Sequence, residues 1–277
     1  APAHAAKCNV VELATGRDGV VCVEQIAEYV LKHGVPRPAV IALQMANNET
    51  GVIQPVGEVA EFARAHGILM HSDAVQAAGR VPVDFAALGL DTMAISAHKL
   101  GGPKGIGALI IRDHLDLVPM LRGGGQERRR RAGTENVAAI AGFGAAAEAA
   151  HAELRSMAAV ESLRDDLEAH IRAISPRAEI IGEASPRIGN TIAVALPGKL
   201  AETLVIRLDL AGVAVSAGSA CSSGKVGASH VLEAMGLGPE IASGTIRISL
   251  GRETTKDDIA AFVAAWQAIA GSQAIAA

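Results

Sequence analysis

Aromatic side chains make up only 2% of the 277 residues, with one Trp, one Tyr and four Phe. A chain so poor in rings cannot build its interior around aromatic clusters, so Ala, Val, Ile and Leu must fill the core. Cysteine is also scarce: three residues, at 8, 22 and 221, an odd number too widely scattered for a disulfide framework. That usage suits a reduced compartment and makes the cytoplasm the expected location. No apolar run approaches the roughly eighteen residues needed to span a bilayer. The opening stretch lacks a basic segment followed by an apolar one, so no secretory signal is expected. A net charge of −4 supplies no general attraction to nucleic acid or to an anionic membrane.

Half of the residues are hydrophobic, and thirty glycines and eleven prolines are spread among periodic segments rather than gathered in one block. This is the composition of an ordered globular chain long enough for a sizeable core. Strand and helix patterns alternate. "VEQIAEYVLKHG" places Val23, Ile26, Ala27, Val30 and Leu31 on one helical face, and "VGEVAEFARAHG" reads as a second helix closed by Gly67. "PAVIALQMA", "ILMHSDA", "DTMAIS" and "GIGALIIRD" read as buried strands, which predicts a parallel or mixed sheet covered on both faces. From about residue 135 an Ala-rich stretch to "RAI" reads as one long helix. A smaller α+β unit follows, with "GNTIAVALPG" and "TIRISLGR" as strands, "AETLVIRLDLAG" as a helix, and a last helix capped by Thr255 with Asp258 three residues on.

Polar groups cluster where these strands end. In "MANNETGVIQP", Asn47, Asn48 and Glu49 follow a strand, the usual place for ligands in an α/β sheet and equally an ordinary Asn-rich turn. In "HSDAVQAAG", Asp73 could pair with a protonated ring nitrogen or cap a helix over "AVQAAG", with Gln76 three residues on. "SAHKLGGPKGIG" sets Ser96, His98 and Lys99 before a glycine-rich turn that is not a Walker loop. Lys99 either snorkels into water or holds a desolvated amine for Schiff-base chemistry, with Ser96 and His98 donating to a phosphate. In "SAGSACSSGKVGASH", Cys221 is either an inert thiol in a tight turn or a reachable one in a mobile loop. Cys8 and Cys22 have apolar neighbours and read as structural. The four arginines at 128–131 read as a solvated face, a nucleic-acid patch, or a loop presenting guanidinium and hydroxyl groups to an anion. An aspartate after one strand and Ser-x-His-Lys after the next describe a pyridoxal phosphate site, since that cofactor needs a lysine and an acidic partner for its ring nitrogen.

The strings "ANNETGVIQPV", "HSDAVQAAGRVPVDF", "SAHKLGGPKGIGALI", "GGGQERRRRAGTEN", "SAGSACSSG" and "IRISLGR" closely resemble the cysteine desulfurases of the NifS/IscS type. These are fold-type I enzymes of the class V aminotransferase group. The resemblance implies an α/β, aspartate aminotransferase-like fold of PLP-dependent transferases. Residues 1–150 would form part of a large domain with a mixed, mostly parallel sheet, and 151–277 a smaller C-terminal α+β domain carrying the Cys221 loop. It implies pyridoxal 5'-phosphate on Lys99, with Asp73 at the ring nitrogen, Gln76 at the phenolic oxygen, and Ser96 and His98 at the phosphate. Thr134 would reach that phosphate from the partner subunit of a homodimer. Asn48 and Arg247 would orient the substrate carboxylate, and Asn48 would also line the cofactor. Cys221 would take sulfur from L-cysteine as a persulfide and pass it to an acceptor protein, an iron-sulfur scaffold or sulfur carrier, releasing L-alanine. No metal, nucleic acid or membrane is implied. A selenocysteine lyase, another class V enzyme, or a non-catalytic scaffold of the same fold are the alternatives. The family pattern has roughly another quarter of chain ahead of residue 1, expected to hold a phosphate-binding Gly/Thr turn and a ring-stacking histidine, a role for which His4 lacks the context. Exposed strand edges and apolar surface are expected in consequence.

Overall fold

The computed structural model describes residues 9–32, 36–218 and 229–271. Two four-stranded sheets organise them. In the first, β1 (Val40–Gln44), β2 (Leu69–Asp73) and β3 (Thr92–Ser96) run parallel, and β4 (Gly107–Ile111) returns antiparallel beside β3. The mixed, mostly parallel sheet is as expected. Helices α1 (Val23–Leu31) and α2 (Val56–Ala65) join its core. Helix α2 buries Val56, Val59, Ala60 and Ala63, one stripe at helical spacing. It closes where Gly67 takes a φ of +66°, a left-handed conformation that costs a glycine nothing.

Register shows which face is covered. Ile41, Leu43, Met70, Met93 and Ile110 share the face packed into the core. Val40, Leu69 and Leu109 share the other face and remain 52%, 41% and 48% exposed. The expectation of a sheet covered on both faces is therefore corrected. Short apolar strands read the same whether one face or both is buried, because apolar residues also occupy exposed sheet surface.

The second sheet, in the order β5 (Glu179–Ile180), β6 (Thr191–Ala195), β8 (Thr245–Ser249), β7 (Ser216–Ala217), is antiparallel throughout. Every residue of β6 is buried. On one face pack Leu167 and Ile171 of α4 (Met157–Ile174), Leu204 and Leu208 of α5 (Ala201–Leu210), and Trp266 of α8 (Lys256–Gly271). Each such buried side chain contributes about 1.5–3 kcal/mol over an exposed one. The Trp266 indole N–H donates to Ser175 Oγ at 3.0 Å, which removes the cost of burying a ring donor. The other face carries Ile181, Ala193, Ala195 and Leu232, closed by α6 (His230–Ala234) and α7 (Pro239–Gly244). The last helix begins with the expected cap: Asp258 Oδ2 accepts from Thr255 N at 2.8 Å, and Thr255 Oγ1 from Asp258 N at 3.3 Å.

The single long helix read from the sequence is two, α3 (Val137–Ala152) and α4, parted by a 3-10 turn at Glu153–Ser156. Nothing in "HAELRS" opposes a helix. The break arises because α3 packs Phe143 and Ala150 beside Leu100, whereas α4 gives Val160, Leu167 and Ile171 to the second core. One straight rod cannot face both.

The sheets are joined through the loop after β1. Ile53 N donates to Pro186 O at 2.8 Å and Ile188 N to Gly51 O at 2.9 Å, a two-stranded bridge between distant parts of the chain. Gly51, at φ +77°, lets the backbones meet, since a Cβ there would lie 3.2 Å from both Ile188 Cγ1 and Thr191 Cβ. Two arginines hold the far side of this seam. Arg187 makes a bidentate pair with Glu168 at 2.6 and 3.0 Å, both side chains almost fully buried, and Arg164 donates to Ile188 O at 3.2 Å.

Glu168→Ala would leave the Arg187 charge buried and unpaired, and is expected to lower the unfolding free energy by about 3–5 kcal/mol in urea titrations. Glu168→Leu combined with Arg187→Met removes both charges and is expected to cost much less. A second expectation concerns His71 on β2, whose Nδ1 lies 2.8 Å from Thr92 Oγ1. Burial lowers its pKa below the ordinary 6.5, with Asp73 opposing the shift in part. The unfolded chain then binds more protons, so the contribution of His71 is full above about pH 6.5 and is lost as pH falls through its lower folded value. His71→Gln should flatten this acid limb when unfolding free energy is measured against pH.

Candidate active site

The carboxyl ends of β1, β2 and β3 meet in a tightly bonded backbone corner. Met45 N donates to Asp73 O at 2.7 Å, and Ala74 N to Ala94 O at 3.0 Å. Asp73, the last residue of β2, is exposed, and its Oδ1 accepts from Val75 N at 2.9 Å. This small side-chain turn leads into further turns through residue 80, so Asp73 does not cap a helix over "AVQAAG". The short segment turns at Gly79, whose φ of +74° suits a glycine and where a Cβ would stand 2.7 Å from Leu100 Cδ2. Gln76 lies in that turn, and its main-chain oxygen accepts from Arg80 Nη1 at 3.0 Å.

One strand over, Ser96 ends β3 on the same sheet face as Asp73, as the pairing of Asp73 with Ala94 requires. Ser96 Oγ lies 2.8 Å from His98 Nδ1. Residues Ala97–Lys99 form a 3-10 turn, and Leu100 N and Gly102 N both donate to Ala97 O at 2.9 Å. Lys99, half-buried, is the last residue of the turn. The glycines keep this corner tight: a Cβ at Gly107 would sit 2.8 Å from Ile95 O.

The loop after β1 supplies a third edge. Asn47 is buried, and its Oδ1 accepts from Glu49 N at 2.8 Å and Thr50 N at 3.0 Å, so this asparagine shapes the turn. Asn48, half-buried, offers its main-chain oxygen to Arg247 Nη1 at 3.0 Å. Arg247 reaches there from β8 and also donates to Ser216 Oγ at 3.4 Å, while its Nε is buried without a hydrogen-bond partner among the described residues. An unpaired buried guanidinium donor costs about 1–3 kcal/mol, and an anion is the natural group to satisfy it. The buried Glu49 carboxylate accepts at 2.5 Å from Oγ of Ser229, the N-cap of α6.

Asp73, Ser96, His98 and Lys99 thus stand at and just beyond adjacent strand ends, and Arg247 meets Asn48 in the loop after β1. Thr134 is exposed, and no hydrogen bond among the described residues joins it to the group. It follows the largely exposed arginine run, at whose start Glu127, Arg128 and Arg129 take left-handed φ values of 48°, 54° and 67°. Cys221, Cys8 and His4 lie outside the described residues. Cys22 is half-buried, its thiol 3.0 Å from Glu24 Oε2. Sequence reasoning gave no role to Arg80, Arg252 or the Glu49–Ser229 pair. Glu49 and Arg252 stand inside the strings read as motifs, but their partners lie far along the chain and no local pattern announces them.

The donor set defines what fits: a carboxylate, an amine, and a hydroxyl paired with an imidazole, at neighbouring strand ends about 4.8 Å apart. An aldehyde-bearing, phosphorylated heterocycle with a protonatable ring nitrogen matches it, which is the chemistry of pyridoxal phosphate. A small cavity of about 120 Å³ lies behind the lysine turn, between Arg80, Lys99, Glu153 and Arg252. No helix among the described residues is long and apolar enough to cross a membrane.

Residues 2–262 match the Aminotransferase class-V family model. The chain is 44% identical over 221 residues to a cysteine desulfurase of Enterobacter agglomerans, covering 80% of this chain and 55% of that protein. It is 40% identical over 254 residues to the cysteine desulfurase IscS of Dictyoglomus turgidum, covering 91% and 63%. It thus spans little more than half the length of such curated relatives. Among solved structures, the NifS-like protein of Rickettsia africae superposes with a TM-score of 0.85 at 36% identity, over 93% of this chain and 68% of that one. On sequence and fold, this chain belongs to the class-V aminotransferase family.

Proposed function

We propose that the chain serves a pyridoxal phosphate-dependent cysteine desulfurase, converting L-cysteine and a protein thiol into L-alanine and a protein persulfide. The observation that carries this reading is the grouping of Asp73, Ser96, His98 and Lys99 on adjacent strand ends, with Arg247 and its unpaired Nε drawn onto Asn48. The named cysteine desulfurases among its relatives support it.

In this reading the cofactor, when bound, supplies an electron sink for charge developing at the substrate Cα. Lys99 Nζ holds the cofactor and then moves the Cα proton. Asp73 keeps a proton on the ring nitrogen, and Gln76 donates to the phenolic oxygen. Ser96 and His98 bind the phosphate, with Thr134 reaching it from the second subunit of a homodimer. Arg247 Nε and the Asn48 side chain orient the substrate carboxylate, which would satisfy the donor left without a partner. The Cys221 thiolate attacks the substrate sulfur, the Cβ–S bond breaks, and a proton replaces sulfur on Cβ. Sulfur then leaves on Cys221 for an iron-sulfur scaffold or a sulfur carrier, in the reduced environment of the cytoplasm. Residues 1–150 form the cofactor-binding part in this scheme, and 151–277 the unit that brings Arg247 and Cys221.

Cysteine-dependent alanine release, measured with added pyridoxal phosphate, is expected to disappear in Lys99→Ala together with the visible absorption of the bound cofactor. Cys221→Ala should keep that absorption and lose persulfide formation. Arg247→Lys, which cannot reproduce a planar fork of donors, should raise KM for cysteine about tenfold or more with a smaller change in kcat. Alanine release that persists in Lys99→Ala would overturn the assignment.

A further inference from the structure

Two arginines outside the substrate and cofactor groups converge on the lysine turn from opposite sides. Arg80, in the first sheet's unit, donates Nη2 to Lys99 O at 3.2 Å and Nη1 to Gln76 O at 3.0 Å. Arg252, just beyond β8 in the second, donates Nη2 to Leu100 O at 2.9 Å and pairs through Nη1 with Glu153 at 2.5 Å. Two consecutive carbonyls of the turn are therefore held by two guanidinium groups. Glycine makes the approach possible: at Gly101, φ +86°, a Cβ would stand 2.6 Å from Arg252 Nη2. The cations also lie close enough to act on each other, since burial first, and Arg252 second, lower the Arg80 pKa from its ordinary value. Holding like charges together costs energy, and a cavity of about 120 Å³ lies beside them.

We infer that Arg80 and Arg252 are positioning residues for Lys99, a two-sided clamp on the Lys99 and Leu100 carbonyls that couples the place of the lysine amine to docking of the second sheet's unit. The role in placing a cofactor-bearing amine rests on the function proposed above, but the clamp itself does not. Charge-assisted bonds to a carbonyl exceed neutral ones in strength, and a forked guanidinium fixes direction as well as distance. Lys99 is the last residue of a single 3-10 turn, an element with weak intrinsic stability. Without an external grip, that turn would open readily. Glu153 orients the clamp from the break between α3 and α4 and keeps the Arg252 fork aimed at Leu100.

The test is hydrogen exchange at the Leu100 and Gly102 amides, both bonded to Ala97 O, in the 277-residue chain without cofactor. Arg252→Ala is expected to accelerate both about tenfold, leaving the β6 amides unchanged. Glu153→Gln, which keeps the Leu100 bond, should change them by at most about threefold. Should Arg252→Ala fail to fold, Arg252→Lys decides the same question. A lysine keeps the charge near Glu153 but cannot serve both partners as a fork, so faster exchange is again expected. A second readout is the rate at which borohydride traps added pyridoxal phosphate on Lys99, expected to fall in Arg252→Ala. Unchanged exchange in both Arg252 variants would overturn the clamp, whatever the cofactor does. Faster exchange with unchanged trapping would overturn the positioning role and leave a purely structural bond. Failure of the unsubstituted chain to take up cofactor would overturn the functional reading, and with it the positioning role, while exchange still reports on the clamp.

Discussion

The seam between residues 51–53 and 186–188 is the constraint on which the remaining architecture depends. It is made of backbone hydrogen bonds, so its geometry is nearly independent of the side chains it carries. It requires residues without a Cβ at 51 and at 182, where a Cβ would stand 2.5 Å from Val52 Cγ2. The buried Arg187–Glu168 pair and the grip of Arg164 on Ile188 O lock the seam from behind. Once it is closed, Arg247 reaches Asn48 O and Ser229 reaches Glu49. A site drawn from both sheets is thus a consequence of a backbone bridge that touches none of the chemistry.

Within the first sheet, the functional groups share the face that is least covered. Asp73 and Ser96 follow from strand alternation: once Met70, Ser72 and Met93 are committed to the core side, their neighbours must face outward. Polar residues at those positions cost little, because solvent or a ligand can satisfy them. Their backbones, by contrast, are fully bonded, so the side chains project from a fixed frame. Preorganisation here comes from main-chain bonds at the strand ends, which is the sort of support that holds reacting groups to a narrow geometry.

Much of this was legible in the sequence because it is local. Strands, the helical stripe of α2, the cap at Thr255 and the run of Ser96, His98 and Lys99 all follow from residues a few positions apart, while Asp73 joins that run only through the pairing of β2 with β3. The errors and omissions share the opposite property. The break at Glu153–Ser156 depends on two cores competing for one helix face. The openness of the sheet face around Val40, Leu69 and Leu109 depends on what packs there, which an apolar strand does not specify. The turn after Asp73, in place of a helix, goes with the left-handed backbone of Gly79. The convergence of Arg80 and Arg252 joins positions 172 residues apart, as 252 − 80 gives, and no periodicity encodes that.

The interruption between α3 and α4 also bears on how the molecule comes apart. A continuous helix would have carried one hydrogen-bond ladder through both cores and tied their melting together. The 3-10 turn severs that ladder, and cooperativity then passes through links such as the seam, the Arg252–Glu153 pair, and the Glu49–Ser229, Arg247–Asn48 and Arg252–Leu100 bonds. Stability of the whole is then governed by the joint rather than by either core. Weakening the seam would turn one melting transition into two, with the first sheet and the second each unfolding on its own curve.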